Sequence, residues 1–194
     1  MINKMCVFCG SSKGHNEIYA AKAVELGSLL AGNNIELVYG GGNVGLMGVI
    51  ADQVLLEGGK VTGVIPHFLF EWEVGHEGLT KLIKVDSMHE RKLLMSEMAD
   101  AFIAMPGGFG TLEELGEILT WIQLSIIKRP VAVLNVNGFY DSLLNQMDHM
   151  VKEGFLKPEN RNMLLSSDSP SELLEMLHNF TPSSAEKWIN RDQT

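Results

Sequence analysis

Two segments carry residue types and spacings that could do chemistry. Met105–Glu114 (MPGGFGTLEE) sets three glycines, a threonine and two carboxylates within ten residues. A glycine-rich turn ahead of a helix offers free backbone N–H groups at the positive end of the helix dipole. Gly107, Gly108 and Gly110 can therefore form an anion nest. The spacing is not that of a P-loop, and no lysine follows the last glycine. The second segment is Ser87–Lys92 (SMHERK). With Ser87 as N-cap, Arg91 and Lys92 fall in the first turn or so, where cations are unfavourable by about a few tenths of a kcal/mol or more. Adjacent cations placed against local electrostatics beside a strand end suit an anion site; a solvated surface pair is the other reading.

Glu114 has two readings at this level. Thr111-x-x-Glu114 fits a capping box, with Thr111 as N-cap and Glu114 at the third helical position. The same form recurs at Ser87–Glu90 and Ser169–Glu172. Alternatively, Glu114 is a carboxylate facing a ligand. Glu113 and Glu117 fit equally as first-turn and solvent-face acids.

Other loops say less. Gly40, Gly42 and Gly45 in YGGGNVG match the dinucleotide fingerprint, but after the second strand and with no acid placed for a ribose hydroxyl. That argues against NAD and leaves Gly41 and Gly42 as phosphate or sugar contacts. Gly10, Ser11 and Ser12 form a polar turn that could also bond a ligand. Glu71, Glu73 and His76 line a pocket or lie on the surface. His67 and His89 lack ligand-spaced partners, so no metal site is expected. Cys6 and Cys9, three apart on an apolar strand, point to opposite faces and read as structural thiols. No nucleophilic-serine elbow is present.

These segments need elements to position them, and the chain supplies them as alternating strand and helix. Apolar strands fall at MCVFCG, IELVYG, KVTGVIP, LTKLIKV, AFIAM and VAVLNV. Helices are expected over Ile18–Leu30, Gly45–Leu56, from Met88, from Thr111, over Tyr140–Val151 and over Pro170–Leu177. Phe68–Gly78 is expected as an irregular loop. Repeated β–α units with continuous apolar strands give an α/β, Rossmann-like fold: a mostly parallel sheet with helices on both faces. Ligands bind such sheets at the carboxyl ends of the strands, near a switch point.

The 194 residues suit one domain, read as residues 1–180 with a polar tail over 181–194. A net charge of −9 argues against nucleic-acid or membrane-surface partners. No apolar run would span a bilayer and the first residues lack a signal-peptide pattern, so a cytoplasmic protein is expected.

In order, CVFCGSS, YGGGNVGLMG, MHERK and PGGFGTLEE resemble the LOG (LONELY GUY) family, over about Lys4–Phe180. These are cytokinin riboside 5'-monophosphate phosphoribohydrolases, many once labelled lysine decarboxylases. The resemblance implies a Rossmann-like homodimer that hydrolyses the N-glycosidic bond of adenine-type nucleoside monophosphates, AMP among them for some members, without metal or organic cofactor. It maps the catalytic pair to Arg91 and Glu114. Ligand contacts fall on Lys92, Gly107, Gly108, Phe109, Gly110, Thr111, Leu112, Glu113 and Thr120, and on Glu73 in the variable loop. FEWEVGHEG departs from other members, and Phe109 replaces a common tyrosine. A non-catalytic nucleotide carrier on the same fold is the alternative.

Overall fold

A computed structural model describes residues 1–72 and 75–181. Seven strands form one sheet: β1 (Lys4–Phe8), β2 (Glu36–Tyr39), β3 (Val61–Pro66), β4 (Lys81–Val85), β5 (Ala101–Ala104), β6 (Val131–Leu134) and β7 (Leu164–Ser167). Their order is β4-β3-β2-β1-β5-β6-β7, and every pairing is parallel. Between them run α1 (Ile18–Gly32), α2 (Gly45–Leu56), α3 (His67–Trp72), α4 (Met88–Met98), α5 (Phe109–Gln123), α6 (Asp141–Lys152), α7 (Pro158–Arg161) and α8 (Pro170–His178).

Period-two alternation decides which helix covers which face. Met5 and Val7 of β1 enter a core with Leu26 and Leu30 of α1, Ile50 and Val54 of α2, and Leu173 and Leu177 of α8. Cys6 and Phe8 point the other way, into a core with Met95 of α4 and Leu115 and Ile118 of α5. Cys9 belongs to the first core, so the two free thiols lie on opposite faces as their spacing requires.

The switch point falls between β1 and β5. The chain winds outward from β1 to β4, crosses to β5, and winds the other way. Loops after β1 and β5 thus leave neighbouring strands in opposite directions and open a crevice. They also touch: Met105 N donates to Phe8 O at 2.8 Å, and Gly10 N to Pro106 O at 3.1 Å. A Cβ on Gly10 would meet Gly107 Cα at 3.2 Å, so the turn after β1 has little room for a side chain.

Four local expectations change. His67–Trp72 is a short helix where an irregular loop was read. The chain turns directly off β3 there, and Gly75 N closes back on Phe70 O at 3.0 Å. The helix placed from Thr111 starts two residues earlier, at Phe109. Strand β7 and helix α7 had no counterpart in the sequence reading; in β7 only Leu164 is fully buried, so the strand lacks a continuous apolar run. Glu73 and residues 182–194 lie outside the described residues. Among the described residues no helix is long and apolar enough to cross a membrane.

Candidate active site

The earlier start of α5 removes the simplest explanation of Glu114. Gly108 is the N-cap and contributes no side-chain cap. Thr111 is the third helical residue and Glu114 the sixth, beyond the reach of a capping box. Thr111 instead turns inward and is 4% exposed. A Cβ on Gly107 would lie 2.1 Å from its Oγ1, so the two fit only because Gly107 has no side chain. Leu112 N donates to Gly108 O at 3.1 Å, which leaves the N–H groups of Phe109, Gly110 and Thr111 at the open helix end. With the dipole behind them they make a place for an oxyanion.

This helix end opens on a cavity of about 280 Å³ at the switch point. Gly10, Ser11, Gly108, Phe109, Gly110 and Thr111 line one side; Arg91, Glu113 and Glu114 bring charge to it. Met88 and Met95 of α4, Met47 of α2 and Leu69 of α3 add apolar wall. A second cavity of about 290 Å³ shares Gly10, Ser11 and Gly108 and extends past Gly107 to Lys13, Tyr19 and Phe139.

Helix α4 supplies the cation. Ser87 caps it, accepting from Glu90 N at 3.1 Å, while Glu90 Oε2 accepts from Asp86 N at 2.9 Å. Arg91 is the fourth helical residue and only 6% exposed. Its Nη2 donates to Gly40 O at 3.1 Å and its Nη1 lies 3.7 Å from Met88 Sδ. Its Nε is buried with no partner among the described residues. A buried guanidinium with an unmet donor calls for an acceptor, and a nucleotide oxygen in the cavity would supply one. Burial pushes the Cys9 thiol up; the Glu114 carboxylate raises it further and the Arg91 guanidinium lowers it. Both charges thus act on one point of the cavity wall.

Lys92 sits differently from Arg91. It is buried, yet pairs with Glu113 and, at 3.2 Å, with Glu117, one turn apart on α5. It fastens α4 to α5 and does not line the cavity. Burial lowers its pKa, but the two carboxylates outweigh that and leave it above the ordinary lysine value. A raised pKa stabilises the fold fully below the unfolded value, about 10.4, and the effect is lost as pH rises through the folded value. Lys92→Met is expected to cost about 1–2 kcal/mol in urea titrations at pH 7, since Glu113 is half-exposed and partly solvated. The gap between parent and variant should close above pH ~10.4; a gap constant with pH would show that packing, not the ion pairs, is what Lys92 supplies.

The remaining predicted positions divide. Gly41 and Gly42 are buried beneath the segment after α3, and Gly40 replaces them in the lining. Leu112 and Thr120 are exposed on α5, and the Thr120 hydroxyl donates to Gly116 O at 2.8 Å. His76, read as pocket-lining or surface, is buried and outside the cavity lining, and one contributor, Tyr140, escaped the sequence reading. Tyr140, buried, donates its hydroxyl to Met105 O at 2.6 Å and holds the end of β5 where the glycine turn begins. It acts through a partner 35 residues away in the chain, which no local pattern announces; His76 is described below.

A family described as possible lysine decarboxylase matches residues 47–177. A probable cytokinin riboside 5'-monophosphate phosphoribohydrolase of Oryza sativa subsp. japonica is 48% identical over 92% of this chain and 73% of its own. The cytokinin riboside 5'-monophosphate phosphoribohydrolases of Arabidopsis thaliana include one 48% identical over 92% of this chain and 84% of its own. Among solved structures, the molybdenum cofactor binding protein of Rippkaea orientalis superposes with TM-score 0.68 at 21% identity, over 92% of this chain and 96% of its own. The Moco carrier protein of Chlamydomonas reinhardtii gives 0.68 at 17% identity, over 92% and 96%. At such identities these two establish the Rossmann-like fold alone. The match across most of the chain and the 48% identity over 92% of it place this chain in the possible lysine decarboxylase family, among its LOG members.

Proposed function

We propose that this protein is a phosphoribohydrolase, an enzyme that cleaves the N-glycosidic bond of an adenine-type nucleoside 5'-monophosphate to free base and ribose 5-phosphate. Its catalytic unit is residues 1–180, with 181–194 an appended tail. The relatives at 48% identity are named as cytokinin riboside 5'-monophosphate phosphoribohydrolases, one of them as probable. The observation that carries it here is the buried Arg91, its Nε unmatched, sharing a cavity with Glu114 beside an uncapped glycine turn.

Each part has a task in that chemistry. The phosphate takes the N–H groups at the start of α5 and the Thr111 hydroxyl, with Gly10 and Ser11 across the crevice. As the bond to the base lengthens, positive charge builds on the ribose ring. Glu114 faces that charge and orients the attacking water, while Arg91 holds substrate oxygens. Water adds to the anomeric carbon and gives a proton to Glu114, while the base leaves with the bonding electron pair and takes up a proton on nitrogen, so that free base and ribose 5-phosphate result. The chain needs neither metal nor organic cofactor for these steps. Lys92 is poorly suited to the Schiff base that lysine decarboxylation would use, since its paired ammonium is held protonated. The carrier reading has only the shared fold behind it.

Incubation with AMP and with isopentenyladenosine monophosphate, followed by chromatography, should yield free base from one or both. Nucleotide recovered intact from both would overturn the assignment. The protein works as a homodimer in the cytoplasm. Leu112, Gly116, Thr120 and Leu124 form an exposed stripe along α5, with Phe109 93% exposed at its head and Ile126 64% exposed beyond its end. A second copy against this stripe would cover that apolar surface. Light scattering should give twice the chain mass; monomer mass at micromolar concentration would refute it.

A further inference from the structure

Arg91 is aimed against a carbonyl on a loop of three consecutive glycines, Gly40–Gly42. Such a loop has little stiffness of its own, and Gly41 sits at φ +76°, where side chains are rarely accepted. What stiffens it is the segment after α3. Gly75 forms an antiparallel bridge with Gly42, and His76 N donates to Gly41 O at 3.0 Å. The His76 ring, 7% exposed, is held at both nitrogens. Gly78 N donates to Nδ1 at 3.2 Å, and Nε2 lies 2.9 Å from Asp52 Oδ1 on α2. An imidazole whose Nδ1 accepts carries its hydrogen on Nε2, so Nε2–H donates to Asp52.

We propose that the His76–Asp52 pair is a positioning device for Arg91. By anchoring the 75–78 segment to α2 it fixes the Gly41 peptide, and through it the Gly40 carbonyl that receives Arg91 Nη2. His76 and Asp52 lie outside the cavity lining, so both act through Arg91 and not on the substrate. The kinetic consequence rests on the phosphoribohydrolase reading; the anchoring does not.

Asp52 is the residue to change, because its side chain is 67% exposed and its loss leaves the core intact. Asp52→Ala should lower kcat about tenfold while KM stays within about twofold, the signature of a misaimed catalytic group in a bound complex. Asp52→Asn keeps an oxygen that accepts from Nε2 and should restore kcat to within about twofold of the parent. His76→Ala should match Asp52→Ala, and the double variant should be no slower than His76→Ala, as for two members of one pair. Hydrogen exchange gives a readout free of activity: the amides of His76 and Gly78 should lose protection in Asp52→Ala. Parental kcat in Asp52→Ala, or Asp52→Asn as slow as Asp52→Ala, would overturn the proposal. So would a lower melting temperature with unchanged kcat, the mark of a purely structural pair. Should the parent release no base, the functional reading fails, and exchange alone decides: unchanged protection at His76 then refutes the anchor.

Discussion

Glu114→Gln is expected to lower kcat by about a thousandfold while leaving the melting temperature within about 1–2 °C of the parent. Glutamine keeps the shape of the carboxylate and one acceptor oxygen, removes the charge and turns the other oxygen into a donor. If that charge faces a ribose that becomes positive in the transition state, ground-state binding changes little and the loss appears in kcat. A helix cap would give the reverse result: stability would fall by about 0.5–2 kcal/mol with turnover intact. The geometry already separates the two, because Gly108 caps α5 and Glu114 is the sixth residue of that helix, in the cavity wall. Tight-binding measurements with AMP on the variant, alongside single-turnover rates, would assign the loss to the chemical step. A variant with parental kcat would remove Glu114 from the mechanism.

Gly40→Ala should be nearly as damaging, though it adds a single methyl group. That Cβ would stand 1.8 Å from Arg91 Nη2 and 3.0 Å from its Cζ. The guanidinium must move, and a buried side chain with one anchoring carbonyl has few places to go. A loss of about a hundredfold in kcat/KM is expected, together with lower stability from a displaced buried charge. Gly32→Ala is the matched control: nothing lies within 4 Å of its Cβ, so both readouts should stay at the parent level. Normal activity in Gly40→Ala would show that Arg91 has no fixed station to defend.

Much of the architecture was legible because buried parallel strands are continuous apolar runs. Helix α2 spans Gly45–Leu56 and α4 starts at Met88, as read, since glycine and serine mark those starts plainly. The start of α5 was misread for a physical reason. Thr111 is a favoured capping type, but packing against Gly107 draws it inward and leaves the cap to a glycine. Arg91 was legible as an oddity, a cation near the wrong end of a helix. That Lys92 serves α5 and not the cavity was not legible, because its partners are 21 and 25 residues away. The same distance hides Tyr140, whose acceptor is 35 residues upstream.

The outer strand β4 bears on how copies of this chain can meet. Its pattern leaves Lys81 and Lys84 exposed, with Lys84 Nζ 3.5 Å from the centre of the Phe70 ring. Like charges on a free strand edge repel an incoming strand that would extend the sheet. At the opposite edge, β7 ends in Ser166 and Ser167 and offers little apolar surface for such an addition. Growth of the sheet by strand addition is thereby discouraged at both ends. Self-association is left to the helical flanks, where a two-fold contact of one patch with itself would close into a finite particle.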